Sequence, residues 1–492
     1  MFFPVCTLGA RQRSTSLWLT GVIVLLSVVV TAGCVNPTHD QRRIGTLRNH
    51  VDNELLARSD YQLAPAQLVS HRSATETVAM PDIVNWNDGL SEEEACAIGI
   101  WNHPGYQELL ADLQITRADV IEAAQVANPQ IATMIPVGPK QWEFALALPL
   151  DALWLRPIRV AAAQAEAHRV AERLVQDGLN TIRDIRLSYI DWNLAQQRAA
   201  IATEILELRD EVQRIADARL QAGDAAELEV TTVRIDAAVG KADQRRAIRD
   251  AQIAQERLRY TLGLQHSDIK LNTESPTLPI NPAITLLDPQ QLVTDAISSR
   301  PDLRAIRLAV RAANHRQDLA RKDIWRLSGL LPDINSRGRN GFEAGPGFQF
   351  NLPIFHQNQG AAARACAQAE QLKRRFANQR DLVSMEVRQA FLQLQQAEQD
   401  LAIWRDSIVP QADAAVQSAQ QALRENGVSS LLVLETTRQL LNARQRLLDA
   451  DAQFRRAIAE LERSTGRRLS NYNSVAAVEP APLPDLHPEM LR

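Results

Sequence analysis

The stretch GFQFNLPIFHQNQG, Gly347 to Gly360, sets two incompatible periods side by side. Phe348, Phe350, Leu352 and Ile354 alternate with Gln349, Asn351 and Pro353, which is the period of a strand. From Gln357 onward Ala, Gln and Arg recur at helical spacing. A short strand is spliced onto a long helix, and the splice occurs twice. FALALPL (Phe144 to Leu150) aligns with FQFNLPI (Phe348 to Ile354), Phe144 on Phe348 and Pro149 on Pro353, at an offset of 204. Gly223 in LQAGD and Gly427 in RENGV are also 204 apart, and Gly263 and Gly466 are 203 apart. Nearer the front, NHPGYQELLADLQ (Asn102 to Gln114) matches SRPDLRAIRLAVR (Ser299 to Arg311), with Pro104 on Pro301. The chain is a duplication.

Each half follows one plan: a short helix after the proline, an alternating hairpin, a very long helix, a Gly turn and a return helix. Residues 89–264 form the first repeat, with a hairpin over about 130–150 and helices over about 157–221 and 226–262. Residues 297–468 form the second, with a hairpin over about 332–355 and helices over about 357–425 and 429–465, interrupted only at Pro410. Residues 265–296 link them. In the first long helix Leu187, Leu194, Ile201, Leu208 and Ile215 recur every seventh residue, a coiled-coil seam. Such a helix is on the order of 100 Å long. It cannot bury its stripe against short companions alone, so it packs against its own repeat or against copies of itself. The fold class is mainly α, with two short hairpins.

Composition narrows the function classes. The 492 residues carry a formal net charge of -4, with 23% charged and 5% aromatic residues, and no basic stripe stands out to serve nucleic acid. At the N-terminus, Arg11 and Arg13 precede an apolar run, Leu17 to Val30, which ends in Thr31, Ala32 and Gly33 before Cys34. That layout reads as a secretory signal over residues 1–33, too short for a comfortable membrane span. Cys96 and Cys366 lie in Ala-rich helical contexts without CxxC spacing and read as two small buried or half-buried thiols. No Ser/His/Asp constellation, phosphate loop or HExxH set occurs, so neither catalytic residues, nor a cofactor, nor a metal site is expected. Residues 34–88 read as an extended, wrapping N-terminal segment and 469–492 as a Pro-rich extended tail.

Several motifs in order carry a resemblance: GLSEEEACAIGIWNHPGY (Gly89 to Tyr106), ANPQI (Ala127 to Ile131), SRPDL (Ser299 to Leu303), LPDI (Leu331 to Ile334), LPIFHQNQG (Leu352 to Gly360) and ENGVSSLLVLETTRQLLNARQRLLDA (Glu425 to Ala450). Together they resemble the outer-membrane efflux proteins, the TolC family, and within it the lipoprotein members attached to resistance-nodulation-division pumps, including the metal-exporting branch. The resemblance implies a homotrimeric α-barrel tunnel of duplicated helical hairpins in the envelope of a Gram-negative bacterium. It also implies a small outer-membrane β-barrel, a periplasmic adaptor, an inner-membrane transporter and no chemistry in the conduit itself. Cys34 sits where the family's lipobox thiol is acylated, which would anchor the protein to the outer membrane. Gly223 and Gly427 match the hairpin tips that close the tunnel and dock the adaptor, while Pro149 and Pro353 mark the strand-to-helix junctions.

Asp224, Glu227, Glu229 and Glu435 lie near those tips, where inward acids repeated by symmetry would form a cation-favouring ring. Acid at a helix start also simply suits the helix dipole. The hairpins depart from the family. Only 19 positions separate Pro129 from Pro149 and 20 separate Pro332 from Pro353, whereas a barrel strand needs about 9 to 11 residues. LPDINSRG also lacks a lipid-facing apolar series. A shortened barrel and a non-spanning collar beneath a lipid anchor are both open, with the pattern leaning to the collar. The alternative to a conduit is a non-conducting periplasmic coiled-coil lipoprotein that bridges envelope layers or docks an adaptor.

Overall fold

A computed structural model describes residues 37–65, 78–85, 89–134, 143–223, 225–267, 269, 271–272, 288–324, 327–336, 342–350, 352–424 and 430–469. Its helices are α1 (Pro37–Ser59), α2 (Glu92–Asn102), α3 (Pro104–Ala124), α4 (Ala152–Gln221), α5 (Glu227–Thr261), α6 (Pro289–Ser299), α7 (Pro301–Lys322), α8 (Gln359–Ile403), α9 (Val409–Arg424) and α10 (Ser430–Thr465). A π-helical turn, Trp404–Ile408, joins α8 to α9. The strands are β1 (Gln130–Met134), β2 (Glu143–Ala147), β3 (Leu327–Ser336) and β4 (Phe342–Phe350). The chain divides into two units, one of Met1–Asn49, Leu113–His168 and Leu308–Lys373, the other of His50–Asp112, Arg169–Arg307 and Arg374–Arg492.

The first unit holds the sheet. All four strands form one antiparallel sheet in the order β1-β2-β3-β4, so the two hairpins of the duplication pair with each other, Glu143 against Asn335 and Phe144 against Ile334. The second hairpin is longer than its sequence suggests. Strand β3 begins at Leu327, before Pro332, and β4 begins at Phe342, inside the glycine-rich stretch that reads as an apex. The alternation test misses this because Pro332 faces Pro346 in the register. Two opposed prolines fit an antiparallel ladder where neither residue donates to the other. The ten and nine residues of β3 and β4 meet the length a spanning strand needs, while the five of β1 and of β2 do not.

The junctions behind the hairpins are not identical. After β2, the carbonyls of Pro149 and Asp151 accept from Ala152 and Leu155 and start α4 at once. Pro157, the expected helix start, therefore lies inside the helix and forfeits one backbone bond there. After β4 the chain bends through Pro353 to Asn358, whose backbone adopts φ +56°, a region Asn tolerates. The Asn358 amide donates to the carbonyl of Ala320 at 2.7 Å, and its own carbonyl accepts from Ala362 to open α8.

The second unit is helical. The segment expected to be extended contributes α1, a helix, and its residues from His50 on are packed into this unit, with Val51 and Leu55 fully buried. Ser91 and Glu94 form a reciprocal capping box at the start of α2, and Asp288 caps α6 ahead of Pro289, two start signals written in the local sequence. Val383, Val387, Ala390, Leu394 and Leu401 of α8 are buried at alternating intervals of four and three (one member, Ala397, partly so), against Ala450, Phe454, Ala457 and Leu461 of α10. That is the heptad packing expected of long paired helices.

The return helices α5 and α10 end alike, on Gly263 (φ +68°) and Gly466 (φ +74°). The N–H groups of Leu264 and Arg467 reach back to the carbonyls of Arg259 and Glu462, the paired-bond ending that a left-handed residue permits. A Cβ on Gly263 would lie 2.2 Å from the carbonyl oxygen of Asn102, at the end of α2.

Arginines fill the region where these helix ends meet. Arg58 of α1 donates to the carbonyls of Ser299 (2.9 Å) and Gly466 (3.2 Å) and to Glu54. Arg300 donates to the Ser464 carbonyl (3.0 Å), Asp302 and Glu386. Arg304 holds Glu54 and the almost fully buried Glu172, which also meets His50 at 3.1 Å. Cations at carbonyl-rich helix C-termini are favoured by the dipole and satisfy acceptors that the helix leaves open.

Two expectations follow from this packing. Gly223→Ala meets nothing within 4 Å and should cost only the left-handed strain of about 1–2 kcal/mol; Gly263→Ala adds a backbone collision and should cost roughly 2–4 kcal/mol, read as unequal shifts in denaturant midpoint. The second concerns acid. Burial raises the Glu54 carboxyl, but Arg58 and Arg304 outweigh it and hold the group below its ordinary value of 4.5. A depressed folded pKa stabilises above the unfolded value and is lost as pH falls through the folded one. Protease sensitivity of α1 should therefore rise below about pH 4.5, and Glu54→Gln should flatten that rise while weakening the clasp at neutral pH.

Candidate functional site

The functional candidates marked in the sequence are the hairpin tips. At the first tip Ala222 and Gly223 close the last turn of α4 through bonds to Ala218 and Leu220. Gly223 takes φ +83° in open space, which reverses the chain tightly without side-chain support. Helix α5 then starts at Glu227 after Ala226, which offers no capping side chain. Glu227 and Glu229 in the first turn supply the negative charge that the uncapped N–H groups favour.

The four acids do not share one environment. Glu229 meets Arg219 across the tip at 3.2 Å. Glu435 accepts two bonds from Arg438 at 3.0 and 2.9 Å and one from Gln439 at 3.3 Å, and the Arg438 bonds hold its carboxyl below the ordinary range. Glu227 is exposed and makes no ion pair among the described residues. Asp224, Gly427 and Cys34 lie outside the described residues. Arg234 and Asp217 add a further rung at 2.8 Å. Sequence reading marked the acids but not their arginines, although Arg438 stands three residues from Glu435, a spacing that signals a helical pair.

Pro149 and Pro353 are half-buried at the junctions, and the apolar residues beside Pro353 are open to solvent, Phe355 at 92%. Of the thiols expected to be buried or half-buried, Cys96 is fully buried, and burial pushes it up to about 12, so it is an inert packing group; Cys366 is instead exposed. Among the described residues no cluster of His, Cys, Asp or Glu is arranged to hold a metal ion. No described helix is long and apolar enough to cross a membrane.

Known proteins match this architecture. Residues 292–467, the second repeat, fit the family model for the outer membrane efflux protein. The cobalt-zinc-cadmium resistance protein CzcC of Cupriavidus metallidurans is 24% identical over 390 residues, covering 77% of this chain and 90% of that one. Among solved structures, a membrane protein from Pseudomonas aeruginosa superposes with a TM-score of 0.64 at 18% identity, covering 80% of this chain and all of the other. The outer-membrane channel OprN gives 0.63 at 21% identity, covering 76% and 90%. Duplicated hairpins and paired long helices accompany that match, in which residues 292–467, the region of the second repeat, fit the outer membrane efflux protein family.

Proposed function

We propose that the chain is the outer-membrane conduit of a tripartite efflux system, a homotrimer that carries solutes outward from an inner-membrane pump and a periplasmic adaptor and does no chemistry itself. The observation that carries this is a pair of exposed apolar stripes on different helices. On α5, Leu228, Ile235, Val239, Ile248, Ile253 and Tyr260 face solvent; on α8, Leu382, Met385, Leu392 and Ile403 do so. Most of these intervals are multiples of the heptad or its parts, the spacing of a seam that lacks its partner. Apolar side chains exposed repeatedly at seam spacing along a helix mark a contact surface. Two different faces make a head-to-tail contact, which generates a closed ring when the rotation permits.

The sheet supports the same assembly. Its edge strands are β1 and β4, and pairing the β4 edge of one copy with the β1 edge of the next would leave no strand unpaired. In this reading the β3–β4 hairpins give the wall its height, Cys34 carries the acyl anchor, the Gly223 and Gly427 tips dock the adaptor, and Glu227 is the acid free to act on passing ions.

Chemical cross-linking should give a trimer, and planar bilayers should give unitary conductance. Ile253→Glu with Met385→Glu should leave helical circular dichroism intact while abolishing both. A trimer that conducts nothing, from a strain whose deletion changes no drug or metal sensitivity, would instead establish the tethering lipoprotein. Glu227→Gln should lower the cation-to-anion permeability ratio in a salt gradient more than Glu229→Gln or Glu435→Gln, whose charges Arg219 and Arg438 already offset. Equal, negligible effects from all three would remove the acidic ring.

A further inference from the structure

Helices α1, α4 and α10 of the second unit converge on a small cavity of about 30 Å³, enough for a water-sized occupant. Six guanidiniums reach its wall: Arg58 from α1, Arg183 and Arg186 from α4, and Arg463, Arg467 and Arg468 from the last turn of α10 and the residues after it. Leu179, Ile182 and Ala459 add apolar wall, so charges facing the cavity are poorly screened.

Cations at such density need acids, and most of these have them. Arg186 meets Glu92 and Glu462, Arg463 meets Glu386 (3.4 Å) and Glu460 (2.7 Å), and Arg58 meets Glu54 (3.0 Å). Arg468 meets Asp60 (3.3 Å) and Glu93 (3.2 Å) and lies over the Tyr61 ring. Arg183 lies 3.4 Å from Glu460 and 2.9 Å from Asp184. Of all these carboxylates only Glu462 reaches the wall, and it is engaged by Arg186 and by the Leu469 N–H at 3.0 Å. The others lie off the wall, and the Asp60, Asp184 and Glu93 side chains are 50%, 54% and 72% exposed, where water weakens their pull.

The balance fails in three places. Arg467 is half-buried, yet its guanidinium makes no ion pair or hydrogen bond among the described residues. Its backbone is fixed, the N–H donating to the Glu462 carbonyl at 3.2 Å and the carbonyl accepting from Thr465 Oγ1 at 3.3 Å, so the helix ending itself delivers this side chain to the cavity. The Arg183 Nε is buried without a hydrogen bond, although Asp184 is close. Burial opposes the charges of Arg58, Arg186, Arg463 and Arg468 alike; their partners outweigh it at the last three, whereas Arg58 stays below its ordinary value. Donors and charge held out of water without partners are costly.

We infer that the cavity binds one small monovalent anion of halide size, which neutralises Arg467 and ties the residues after α10 to α1 and α4. One negative charge matches the one lining guanidinium that has no carboxylate, and the volume admits a monatomic ion more readily than a tetrahedral oxyanion. Water would fill the same space and accept from the same donors, but would leave the charge of Arg467 unmet. The site lies within the second unit of a single chain and stands whether or not that chain conducts.

Thermal unfolding of the full-length protein in detergent tests it, in sodium chloride, bromide and gluconate at equal ionic strength. Chloride and bromide should raise the midpoint saturably by a few degrees over gluconate, as a ligand of the folded state does, whereas screening acts alike in all three salts. Arg467→Gln should abolish that rise and leave the gluconate midpoint near the wild type, because it breaks no ion pair; Arg311→Gln, at an exposed arginine of α7, should keep it. Crystals grown in bromide should show an anomalous peak inside the cavity. Equal midpoints in all three salts without such a peak would mean a cavity that holds water only and would overturn the site. A halide rise that survives Arg467→Gln, or bromide confined to the protein surface, would overturn it as well.

Discussion

The second unit depends on arginine at the C-terminal ends of helices. Several helices stop close together, α1 at Ser59, α6 at Ser299 and α10 at Thr465, and each presents carbonyls with no intrahelical donor. Packing such ends against one another in a dry interior would be prohibitive without donors. Arg58 and Arg300 reach those carbonyls directly, and their remaining charge is met by Glu54, Asp302 and Glu386. Arginine suits the task because one planar fork can serve a carbonyl and a carboxylate at once. Lysine, a point charge on a flexible stem, could not bridge both.

Much of the fold was legible because it is written in periods. The heptads of α4 and α8, the paired glycines and prolines of the duplication, and the Ser91 and Asp288 caps are local signals, and each lies where its element starts, packs or ends. What escaped was set by partners distant in sequence. The true extent of β3 depends on Pro332 finding Pro346 across the ladder, which no window around either residue reveals. The helical state of α1 is fixed by Arg304, Glu172 and the end of α10, more than a hundred residues away. Its own low amphipathic contrast gave no sign.

The candidate site was legible in kind and not in charge. The tip glycine and the acids were visible as residue types at turn positions, but the neutralisation of Glu229 by Arg219 depends on the geometry of the reversal itself. The π turn was hidden in a similar way. Pro410 announced an interruption, yet how a helix continues past a proline, by kinking, breaking or taking in an extra residue, is decided by which seam positions must stay buried on either side.

The clasp on α1 has a consequence for symmetry. A duplicated chain would by default offer two equivalent faces to its neighbours, so that three copies would look like six half-copies around an axis. Helix α1 exists once, and it binds the halves differently: Glu172 of the first through His50, and Arg304, Ser299 and Gly466 of the second through Glu54 and Arg58. A chain built from two first halves would keep the two carbonyls that Arg58 reaches, as those of Asn102 and Gly263, but would have Gln107 where Arg304 stands and so lose the guanidinium shared by Glu54 and Glu172. In the proposed trimer the N-terminal helix would thus give each protomer a sense of direction, making the threefold, and not the sixfold, the smallest rotation that relates equivalent surfaces.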